Sequence, residues 1–476
     1  MYEFGMTING KSVAADESFE VVNPATGTPF AAAPDCSREQ LDEAMVAAQA
    51  ALGEWRCDEE RRRQLLRDTA AAIAAAGPEL AGVLSLEQGK PVKEAGLEFV
   101  VAEQWLRYYA ELDMPREVIS DPAGDGYAEV LRRPVGVVGA ITPWNFPVVL
   151  AFWKIAPALR AGNTLVVKPS PFTPLTTLAF GEVLQQVLPP GVLNVVSGKD
   201  PLGAAITTHR IPRKISFTGS SATGKRVMAA AAEDLKRVTL ELGGNDPAIV
   251  LDDVDAGAIA DRLFWGAFGN NGQICAAIKR VYVQENVFPD VVDALAEKAK
   301  GVKVSDGNDP EAELGPVNNL PQFSRVSNLV ADAVYHGARA VAGGGPLDRA
   351  GYFFSPTILT GVDDSTRIVA EEQFGPALPV LPFRTIDEVV GRANTSDYGL
   401  TASVWSADPD RAAEVGLRLD AGQVAINNHA TGVQPHLPFG GHKWSGVGLE
   451  NGPWGLREFT ETQVIHAIDG KLRMFD

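Results

Sequence analysis

Residues 135–170 read VGVVGAITPWNFPVVLAFWKIAPALRAGNTLVVKPS. A β-branched run at 135–141 predicts a strand, Pro147–Arg160 predicts a helix, and 164–167 predicts a second strand. A strand, a helix and a further strand in succession form a right-handed crossover between parallel strands. The segment therefore predicts a parallel sheet, in which ligands bind beyond the carboxyl ends of the strands.

The same alternation of strands and helices continues towards the carboxyl terminus. Further strand-like runs lie at 193–196, 214–218 and 237–242, with a helical stretch at 223–235. A second series of strand-like runs lies at 248–251, 280–283, 338–342, 377–381, 401–405 and 423–426. Two α/β domains with parallel-sheet cores fit both this pattern and a length of 476 residues.

Residues 7–30 are predicted to alternate short strand-like pieces with turns, and helices are predicted to follow from Ser37 to about Leu112. A capping box that begins at Ser37 opens an Ala-rich helix that runs to about Trp55. Separate helices are predicted at 61–76, 78–88 and 93–112, with breaks at Gly77 and 89–91. A strand is predicted at 127–133. The terminal strand-like run at 462–467 has no obvious partner, and we expect it to pair with another segment or another subunit.

Composition excludes several classes of partner. A net charge of −18 argues against nucleic acid and anionic membranes. No apolar run approaches the roughly 20 residues that a membrane span needs. Three cysteines without paired spacing indicate a reducing compartment, and six scattered histidines form no metal-ligand pattern. With no basic and apolar leader at the amino terminus, we expect a cytoplasmic protein without a metal site.

A glycine-rich loop joins a predicted strand to a predicted helix in KISFTGSSATGKR, residues 214–226. Gly219 and Gly224 have the P-loop spacing, but Arg226 stands where that motif has its metal-binding hydroxyl. The dinucleotide fingerprint GxGxxG is also absent. A phosphate site at the start of a helix and a plain strand-to-helix turn both fit the loop. A P-loop-like nucleotide-binding protein is thus an alternative of another class.

Cys275 lies among small residues in FWGAFGNNGQICAA, residues 264–277. Small neighbours leave room for a substrate to approach the sulfur atom. A lone cysteine is, however, more often inert packing than a nucleophile.

Taken together, seven motifs in order resemble the aldehyde dehydrogenase superfamily over essentially the whole chain. The motifs are 142–147 (TPWNFP), 166–170 (VVKPS), 217–220 (FTGS) with Gly224, 240–244 (LELGG), 272–275 (GQIC), 371–376 (EEQFGP), and 438–441 (PFGG) with Lys443, Ser445 and Gly446. Any one of these motifs is weak evidence for the family, whereas the presence of all seven in the family's order is specific. The resemblance implies an NAD(P)-dependent oxidoreductase of the non-acylating type that yields a carboxylic acid.

The resemblance assigns three catalytic residues. Cys275 adds to the aldehyde, the Asn145 side chain helps to bind the resulting oxyanion, and Glu241 activates the water that cleaves the thioester. A glutamate at the end of a strand, outside such a motif, is more often exposed to solvent or held in a salt bridge, and this is the plain alternative for Glu241. A CoA-acylating reaction is the alternative within the family, and the presence of Glu241 favours water. An inactive binding protein would have no need of all three residues.

The resemblance also implies a cofactor site for NAD. Its residues are Trp144, Lys168, Ser170, Gly219, Ser220, Gly224, Leu242, Glu372 and Phe374. Lys168 is expected to bond the adenosine ribose, Glu372 the nicotinamide ribose, and Phe374 to pack beside the nicotinamide. Many members carry Glu after the Lys-Pro-Ser triplet, and this chain has Pro171. We therefore expect NAD to be preferred and NADP to be used measurably.

Position in the motifs predicts a largely apolar substrate pocket. Its residues are Leu150, Trp153, Phe268, Ile274, Val433 and Phe439. No Arg or Lys in the loop at 427–436 is placed to pair with a charged substrate, so a neutral aliphatic or aromatic aldehyde is expected. His429 and His436 are either pocket residues or exposed loop residues. Lys154 and Glu450 occupy positions implicated in proton movement, with surface charge as the plain alternative.

The resemblance finally implies a division of the chain. Residues 1–115 and 135–243 are expected to form the cofactor-binding domain, and 244–444 the catalytic domain with the thiol. Residues 116–134 and 458–476 are expected to form an oligomerisation arm in a homodimer or homotetramer.

Overall fold

The computed structural model describes residues 4–120, 127–429 and 433–467. Its helices are α1 (Arg38–Trp55), α2 (Glu59–Gln88), α3 (Val92–Glu111), α4 (Pro147–Arg160), α5 (Leu175–Leu184), α6 (Asp200–Thr208), α7 (Ser221–Ala232), α8 (Ala256–Phe268), α9 (Phe288–Gly301), α10 (Leu320–Tyr335), α11 (Arg367–Ala370), α12 (Ile386–Asn394), α13 (Pro409–Gly416) and α14 (Gly452–Glu458), with a 3-10 turn at Gly269–Gly272. Its strands are β1 (Met6–Ile8), β2 (Lys11–Val13), β3 (Glu17–Asn23), β4 (Thr28–Asp35), β5 (Glu117–Ser120), β6 (Tyr127–Pro134), β7 (Val137–Ile141), β8 (Thr164–Lys168), β9 (Leu193–Val195), β10 (Lys214–Thr218), β11 (Arg237–Glu241), β12 (Asp246–Val250), β13 (Ile278–Gln284), β14 (Arg339–Ala342), β15 (Thr357–Thr360), β16 (Ala377–Phe383), β17 (Tyr398–Gly399), β18 (Thr401–Trp405), β19 (Gln423–Ile426), β20 (His442–Lys443), β21 (Gly446–Val447) and β22 (Thr460–Ala467).

The first large sheet has eight strands in the order β2-β1-β9-β8-β7-β10-β11-β21. The five strands from β9 to β11 are parallel, as the sequence predicts. Ile141 pairs with Lys168, and Thr218 with Glu241. The register therefore brings the carboxyl ends of four strands, and the residues that follow them, to one edge of the sheet.

The second large sheet has seven strands in the order β14-β15-β16-β13-β12-β18-β19. All its pairs are parallel except the edge pair β14–β15. The six predicted strands lie within two residues of the observed ends, and the short strand β15 was not predicted. This sheet draws only on residues 246–426, whereas the first draws on 6–241 and 446–447. The domain bounds themselves stay a prediction.

The predicted break at Gly77 is wrong, because α2 runs without interruption through Gly77 and Pro78. A Cβ at Gly77 would lie 2.9 Å from the Cβ of Phe99, so this glycine lets α3 pack closely against α2. Burial of that apolar contact outweighs the helix-breaking tendency of the Gly-Pro pair. Tertiary packing, rather than local propensity, therefore determines that α2 continues through Gly77 and Pro78.

Among the described helices, α2 alone has the length and apolar composition to cross a membrane. Half of its most apolar 18-residue window is buried inside the protein. Leu66, Ile73 and Leu84 lie in the same core as the first sheet. A core helix has this same composition, and the packing of α2 is that of a core helix.

The terminal strand pairs within the same chain. In the three-stranded sheet β22-β6-β5, residues from Thr460 to Ala467 pair with those from Pro134 to Tyr127. The outer strands carry exposed apolar side chains, among them Val118, Ile119 and Val464. This sheet contains residues predicted for the oligomerisation arm, and its two outer strands have one unpaired edge each among the described residues.

Candidate active site

Asn145 lies in the turn between β7 and α4 and is 3 % exposed. Its side-chain Nδ2 donates to the main-chain oxygen of Gln273 at 2.9 Å. Its own main-chain oxygen accepts from Lys90 Nζ at 2.9 Å and from Asn270 Nδ2 at 3.0 Å. The turn that follows β7 of the first sheet is thus bonded to the loop that precedes β13 of the second sheet. That loop carries the thiol.

A buried ion pair supports this turn from below. Lys90 Nζ lies 2.6 Å from Glu98 Oε1, and both side chains are at most 2 % exposed. The other carboxylate oxygen of Glu98 accepts from the amides of Val148 and Val149 at the start of α4. A carboxylate at a helix amino terminus satisfies donors that the helix leaves free. The pair therefore holds both Asn145 and the first turn of α4.

The thiol loop owes its shape to left-handed backbone. Asn270, Asn271 and Gly272 have φ of 48°, 60° and 72°. Asparagine and glycine tolerate this region better than other residues. A Cβ at Gly272 would collide with the carbonyl oxygen of Gly375, so glycine is required there. The turn ends at Cys275, which is half-buried.

Charges around Cys275 set its reactivity. Burial, followed by the charge of Glu241, raises the pKa of the Cys275 thiol to about 12. The Lys279 ammonium acts in the opposite direction on this pKa. Lys279 Nζ donates to the carbonyl of Ile274 at 2.6 Å and is also within 3.4 Å of the Cys275 carbonyl. Without other groups in the site, the thiol is therefore mostly protonated at neutral pH.

Glu241 ends β11 and is 2 % exposed. Neither carboxylate oxygen has a hydrogen-bond partner among the described residues. Burial, followed by repulsion from Glu450, raises the pKa of Glu241 well above its ordinary value, and Lys154 opposes the shift. A buried, unpaired carboxyl group with a raised pKa has the properties of a general base for neutral pH.

The predicted adenosine-ribose contacts follow β8. Lys168 is buried, and its Nζ donates to the Pro169 carbonyl at 3.0 Å, its one hydrogen bond within the described residues. Burial lowers the pKa of Lys168 to about 8, against the opposing effect of Asp200 and Asp35. Ser170 Oγ accepts from the Phe172 amide. Lys168 therefore keeps two N–H groups that could bond ribose hydroxyls.

The glycine-rich loop begins α7. Exposed Ser220 caps the helix, and its Oγ accepts from the Thr223 amide at 3.3 Å. A Cβ at Gly219 would lie 2.5 Å from the ring of Phe217, and one at Gly224 would lie 2.5 Å from Leu242. A larger side chain at either position would force Phe217 or Leu242 to move, and Leu242 lies under the first turn of α7. Lys225, the P-loop-like lysine, lies 3.2 Å from the ring centroid of Trp444.

Three predicted cofactor contacts, Trp144, Glu372 and Phe374, lie together. The rings of Trp144 and Phe374 meet edge to face at 5.4 Å. Phe374 has φ of 50°, which is unusual for an aromatic residue. Glu372 Oε1 accepts from the Gly244 amide at 3.0 Å, and burial raises the pKa of this carboxyl group. A Cβ at Gly243 would collide with the Glu372 carboxylate.

The comparisons with known proteins agree with this geometry. The model of the family described as "Aldehyde dehydrogenase family" matches residues 12–465. The chain belongs to the aldehyde dehydrogenase family. It is therefore an oxidoreductase, and its α/β architecture is that of the family's solved structures.

Relatives and solved structures of aldehyde dehydrogenases cover nearly the whole chain. Retinal dehydrogenase 2 of Gallus gallus is 40 % identical over 458 residues, 94 % of this chain and 88 % of the relative. The NAD+ complex of the Bacillus cereus aldehyde dehydrogenase has a TM-score of 0.94 and 39 % identity, and covers 98 % of this chain and 96 % of its own. An E. coli NADP dependent enzyme has a TM-score of 0.95 and 35 % identity, with 98 % of each chain covered.

Only four of the six residues predicted for the substrate pocket of this aldehyde dehydrogenase lie in one cluster. Four of its residues share one apolar core with Cys275, namely Leu150, Trp153, Val433 and Phe439. Trp153 meets Phe439 edge to face at 5.2 Å. Phe268 lies in a different core, with its ring stacked on Phe264 at 4.6 Å, and Ile274 is half-buried beside Gly269. The pocket residues stay a prediction.

The two histidines of the 427–436 loop differ. His436 is exposed. His429 is 2 % exposed, and its Nδ1 lies 2.9 Å from Ser403 Oγ. Burial lowers the pKa of His429 to about 3, so this side chain is neutral at physiological pH. Neither histidine therefore adds a buried positive charge for a substrate carboxylate.

Sequence reasoning missed several supporting residues. The buried pair Lys90–Glu98 lies among helical residues that carry no motif. Lys279 follows the thiol by four residues, and its role depends on which carbonyls the turn presents to it. The Gly-Asn-Asn-Gly run before Gln273 was the available signal, since adjacent asparagines between glycines favour left-handed turns.

Proposed function

We propose that the protein oxidises a neutral aldehyde to its carboxylic acid with NAD through a thioester on Cys275. The observation that carries the proposal is the buried, unpaired carboxylate of Glu241, close enough to raise the pKa of the thiol. A structural carboxylate buried in this way would normally have hydrogen-bond partners. An unpaired one is suited to bind and activate water.

The chain's own residues account for the proton and charge steps. The thiolate of Cys275 adds to the aldehyde carbonyl, and the second N–H of the Asn145 amide donates to the developing oxyanion. A nicotinamide cofactor, when bound, would supply the acceptor for the hydride that the thiohemiacetal carbon loses as the thioester forms. Water then attacks the thioester while Glu241 takes one of its protons. The C–S bond breaks, and the acid leaves the restored thiolate.

The residues present fit NAD as the preferred cofactor. Lys168 has N–H groups left for ribose hydroxyls, and Asp200 and Asp35 lie near enough to act on its charge. These two carboxylates disfavour an additional phosphate on the ribose. Pro171 replaces the carboxylate that many members have, and lines a cleft of about 770 Å³ with Asp200. We therefore propose that NADP is accepted less well, and the relatives include both an NAD+ complex and an NADP dependent enzyme.

The surroundings of the thiol support a neutral, apolar substrate. Aromatic and aliphatic side chains share a core with Cys275, and His429 is neutral. The similar retinal dehydrogenase 2 is named for an apolar aldehyde. We propose hexanal and benzaldehyde as better substrates than succinate semialdehyde, and a strong preference for the semialdehyde would contradict this.

The proposed reaction is tested by following reduced nicotinamide with hexanal and NAD. Turnover is expected with the native protein, and none with Cys275→Ala. Glu241→Gln is expected to give one burst of reduced nicotinamide and then very slow turnover, since acylation does not need the base. Full turnover by Glu241→Gln would contradict the hydrolytic role, and a requirement for CoA would indicate the acylating alternative.

We also propose a homodimer or homotetramer that forms through the open edges of the β22-β6-β5 sheet. The support is the exposed apolar Val118, Ile119 and Val464 beside unpaired strand edges. A monomer in light scattering would contradict it. The cytoplasmic location stays a prediction.

A further inference from the structure

Two indole rings stack on each other in the apolar core against which Cys275 packs. The ring centroids of Trp105 and Trp153 lie 5.8 Å apart, and the ring planes are inclined by 12°. Both tryptophans are at most 5 % exposed, and Trp153 also meets Phe439 edge to face. We call Trp105 and Trp153 the indole pair. Because Trp153 and Phe439 are predicted substrate-pocket residues, the indole pair belongs to one wall of the predicted pocket.

Asn451 is bonded to the edge of the indole pair. Its Oδ1 accepts from Trp105 Nε1 at 2.8 Å, and the residue is completely buried. The next residue, Gly452, donates its amide to the Pro435 carbonyl at 2.8 Å. Pro435 belongs to the loop at 427–436, which is expected to border the substrate. Asn451 therefore lies where the indole pair meets the predicted substrate loop.

The backbone of Asn451 is strained. Its φ is 66° and its ψ is 160°, a combination that is essentially confined to glycine. Such a conformation is costly and persists only where the surroundings demand it, most often at functional sites. Glycine at this position would relieve the strain but would also remove the side-chain amide. The presence of asparagine therefore indicates a use for the amide, and the bond from Trp105 occupies only its oxygen.

Two buried N–H donors beside the indole pair have no hydrogen-bond partner among the described residues. They are Asn451 Nδ2 and Trp153 Nε1. The indole of Trp105 can only donate, so the amide of Asn451 has to turn its oxygen towards Trp105 and its nitrogen away. Buried donors in native proteins nearly always find an acceptor. The acceptor for these two donors therefore has to come from a molecule that enters the site.

The charged side chains that adjoin these donors in the sequence balance each other. Lys154 follows Trp153, Glu450 precedes Asn451, and Lys154 Nζ lies 2.6 Å from Glu450 Oε1. Both charged side chains are at most 1 % exposed. A substrate carboxylate here would bring a further buried charge to an ion pair that is already balanced, which is costly. An uncharged oxygen needs only the two N–H donors.

We propose that Asn451 and Trp153 select a neutral aldehyde that carries an uncharged oxygen, such as a ketone, ether or hydroxyl, remote from the aldehyde carbon. The inference deepens the proposed function and rests on it. With the aldehyde carbon at Cys275, the apolar part of the substrate lies against Phe439 and the indole pair. The remote oxygen accepts from Trp153 Nε1 and Asn451 Nδ2. An alkyl group in the same place leaves both donors unbonded and is therefore bound less well.

The test compares neutral aldehydes that differ in one oxygen. One pair is para-acetylbenzaldehyde with para-isopropylbenzaldehyde, and the other is levulinaldehyde with isocaproaldehyde. In each pair a ketone oxygen takes the place of a methyl group. The ratio of kcat/KM within a pair, measured with NAD, gives the preference for the oxygen. We expect the native protein to prefer the ketone, and the ratio to fall about fivefold in Trp153→Phe and in Asn451→Leu, the effect of one neutral hydrogen bond.

Trp55→Phe is the matched control. Trp55 Nε1 is likewise buried without a partner among the described residues, but Trp55 lies at the end of α1, where its carbonyl accepts from Arg62. Its ratio should equal that of the native protein. If Asn451→Leu does not fold, Asn451→Gly replaces it, since glycine suits the observed backbone, and its ratio should fall in the same way. A purely structural loss would slow both members of a pair alike and leave the ratio unchanged.

The inference fails if the ratios in Trp153→Phe and in the Asn451 variant equal the native ratios, or if the native protein prefers the ketone in neither pair. The two donors would then bind a resident water molecule rather than the substrate. Oxidation of hexanal that depends on Cys275 would be untouched by this result, so the proposed function would stand. Absence of NAD-dependent turnover with hexanal and with all four test aldehydes would instead remove the proposed function together with the inference.

Discussion

The side-chain amide of Asn145 donates to the main-chain oxygen of Gln273 at 2.9 Å, two residues before Cys275. One residue of the first sheet's edge is thereby tied to the loop that presents the thiol. The bond uses one N–H of the amide and fixes the direction of the other. The distance between the proposed oxyanion donor and the nucleophile thus depends on this bond together with the bond from Asn270 Nδ2 to the Asn145 carbonyl.

Asn145→Ala is expected to slow acylation by about 10²–10³-fold, the usual cost of one oxyanion donor. The loss should appear in the burst rate of reduced nicotinamide, with little change in NAD binding. Thermal unfolding of the variant is the control, because the lost bond to Gln273 also removes a structural contact. A variant with a native burst rate would show that Asn145 only holds the loop.

Lys90→Met tests the support beneath Asn145. The change leaves Glu98 as an unpaired buried carboxylate and removes the 2.9 Å bond to the Asn145 carbonyl. Breaking a buried pair from one side costs about 3–5 kcal/mol of the free energy of unfolding. Urea denaturation measures this cost. Arg107→Met, in the exposed pair with Glu103, is the matched control and should cost at most about 1 kcal/mol.

Lys279→Met is expected to make Cys275 less reactive. The Lys279 ammonium lowers the pKa of the thiol, so its removal raises that pKa and leaves less thiolate at a given pH. Each unit of pKa corresponds to about tenfold less thiolate. The rate of alkylation by iodoacetamide measures the change in a Cys36→Ser, Cys57→Ser background, where Cys275 is the remaining thiol. Equal rates in Lys279→Met and its parent would contradict the electrostatic role.

The fold could be predicted from the sequence largely because strands and helices alternate with clear periodicity. Pro147–Arg160 was predicted with its observed ends, since a proline begins it and Ala161-Gly162 ends it. The continuous α2 could not be predicted, because the contact of Gly77 with Phe99 lies outside the local sequence. Likewise, motifs indicated Cys275, Asn145 and Glu241 through a family resemblance. The pair Lys90–Glu98 acts through three-dimensional contacts that no local pattern encodes.

Pro171→Glu tests the cofactor preference. Pro171 and Asp200 line the same cleft, and a new carboxylate there would repel a ribose phosphate while accepting bonds from ribose hydroxyls. We expect activity with NADP to fall several-fold while activity with NAD is kept, roughly 1 kcal/mol of discrimination. Asp200→Asn should act in the opposite direction and raise the relative use of NADP. The measurement is kcat/KM for each cofactor with hexanal.

The pH dependence of acid release is expected to report the charge around Glu241. Only the ionised carboxylate can take a proton from water, so the rate rises with pH through the pKa of Glu241. Burial and Glu450 raise that pKa, and Lys154 lowers it. Glu450→Gln removes a repelling charge and should move the acidic limb of the profile to lower pH. Lys154→Met removes an attracting charge and should move the limb to higher pH.

The opposite directions of these two shifts are what make the pH profile informative. Lys154 and Glu450 form one ion pair, so a purely structural role would make both variants lose activity in the same way. If the acidic limb moved in the same direction in Glu450→Gln and in Lys154→Met, or moved in neither variant, another group would control the profile. Glu241→Gln should remove the acidic limb together with acid release, which identifies the titrating group as Glu241 itself.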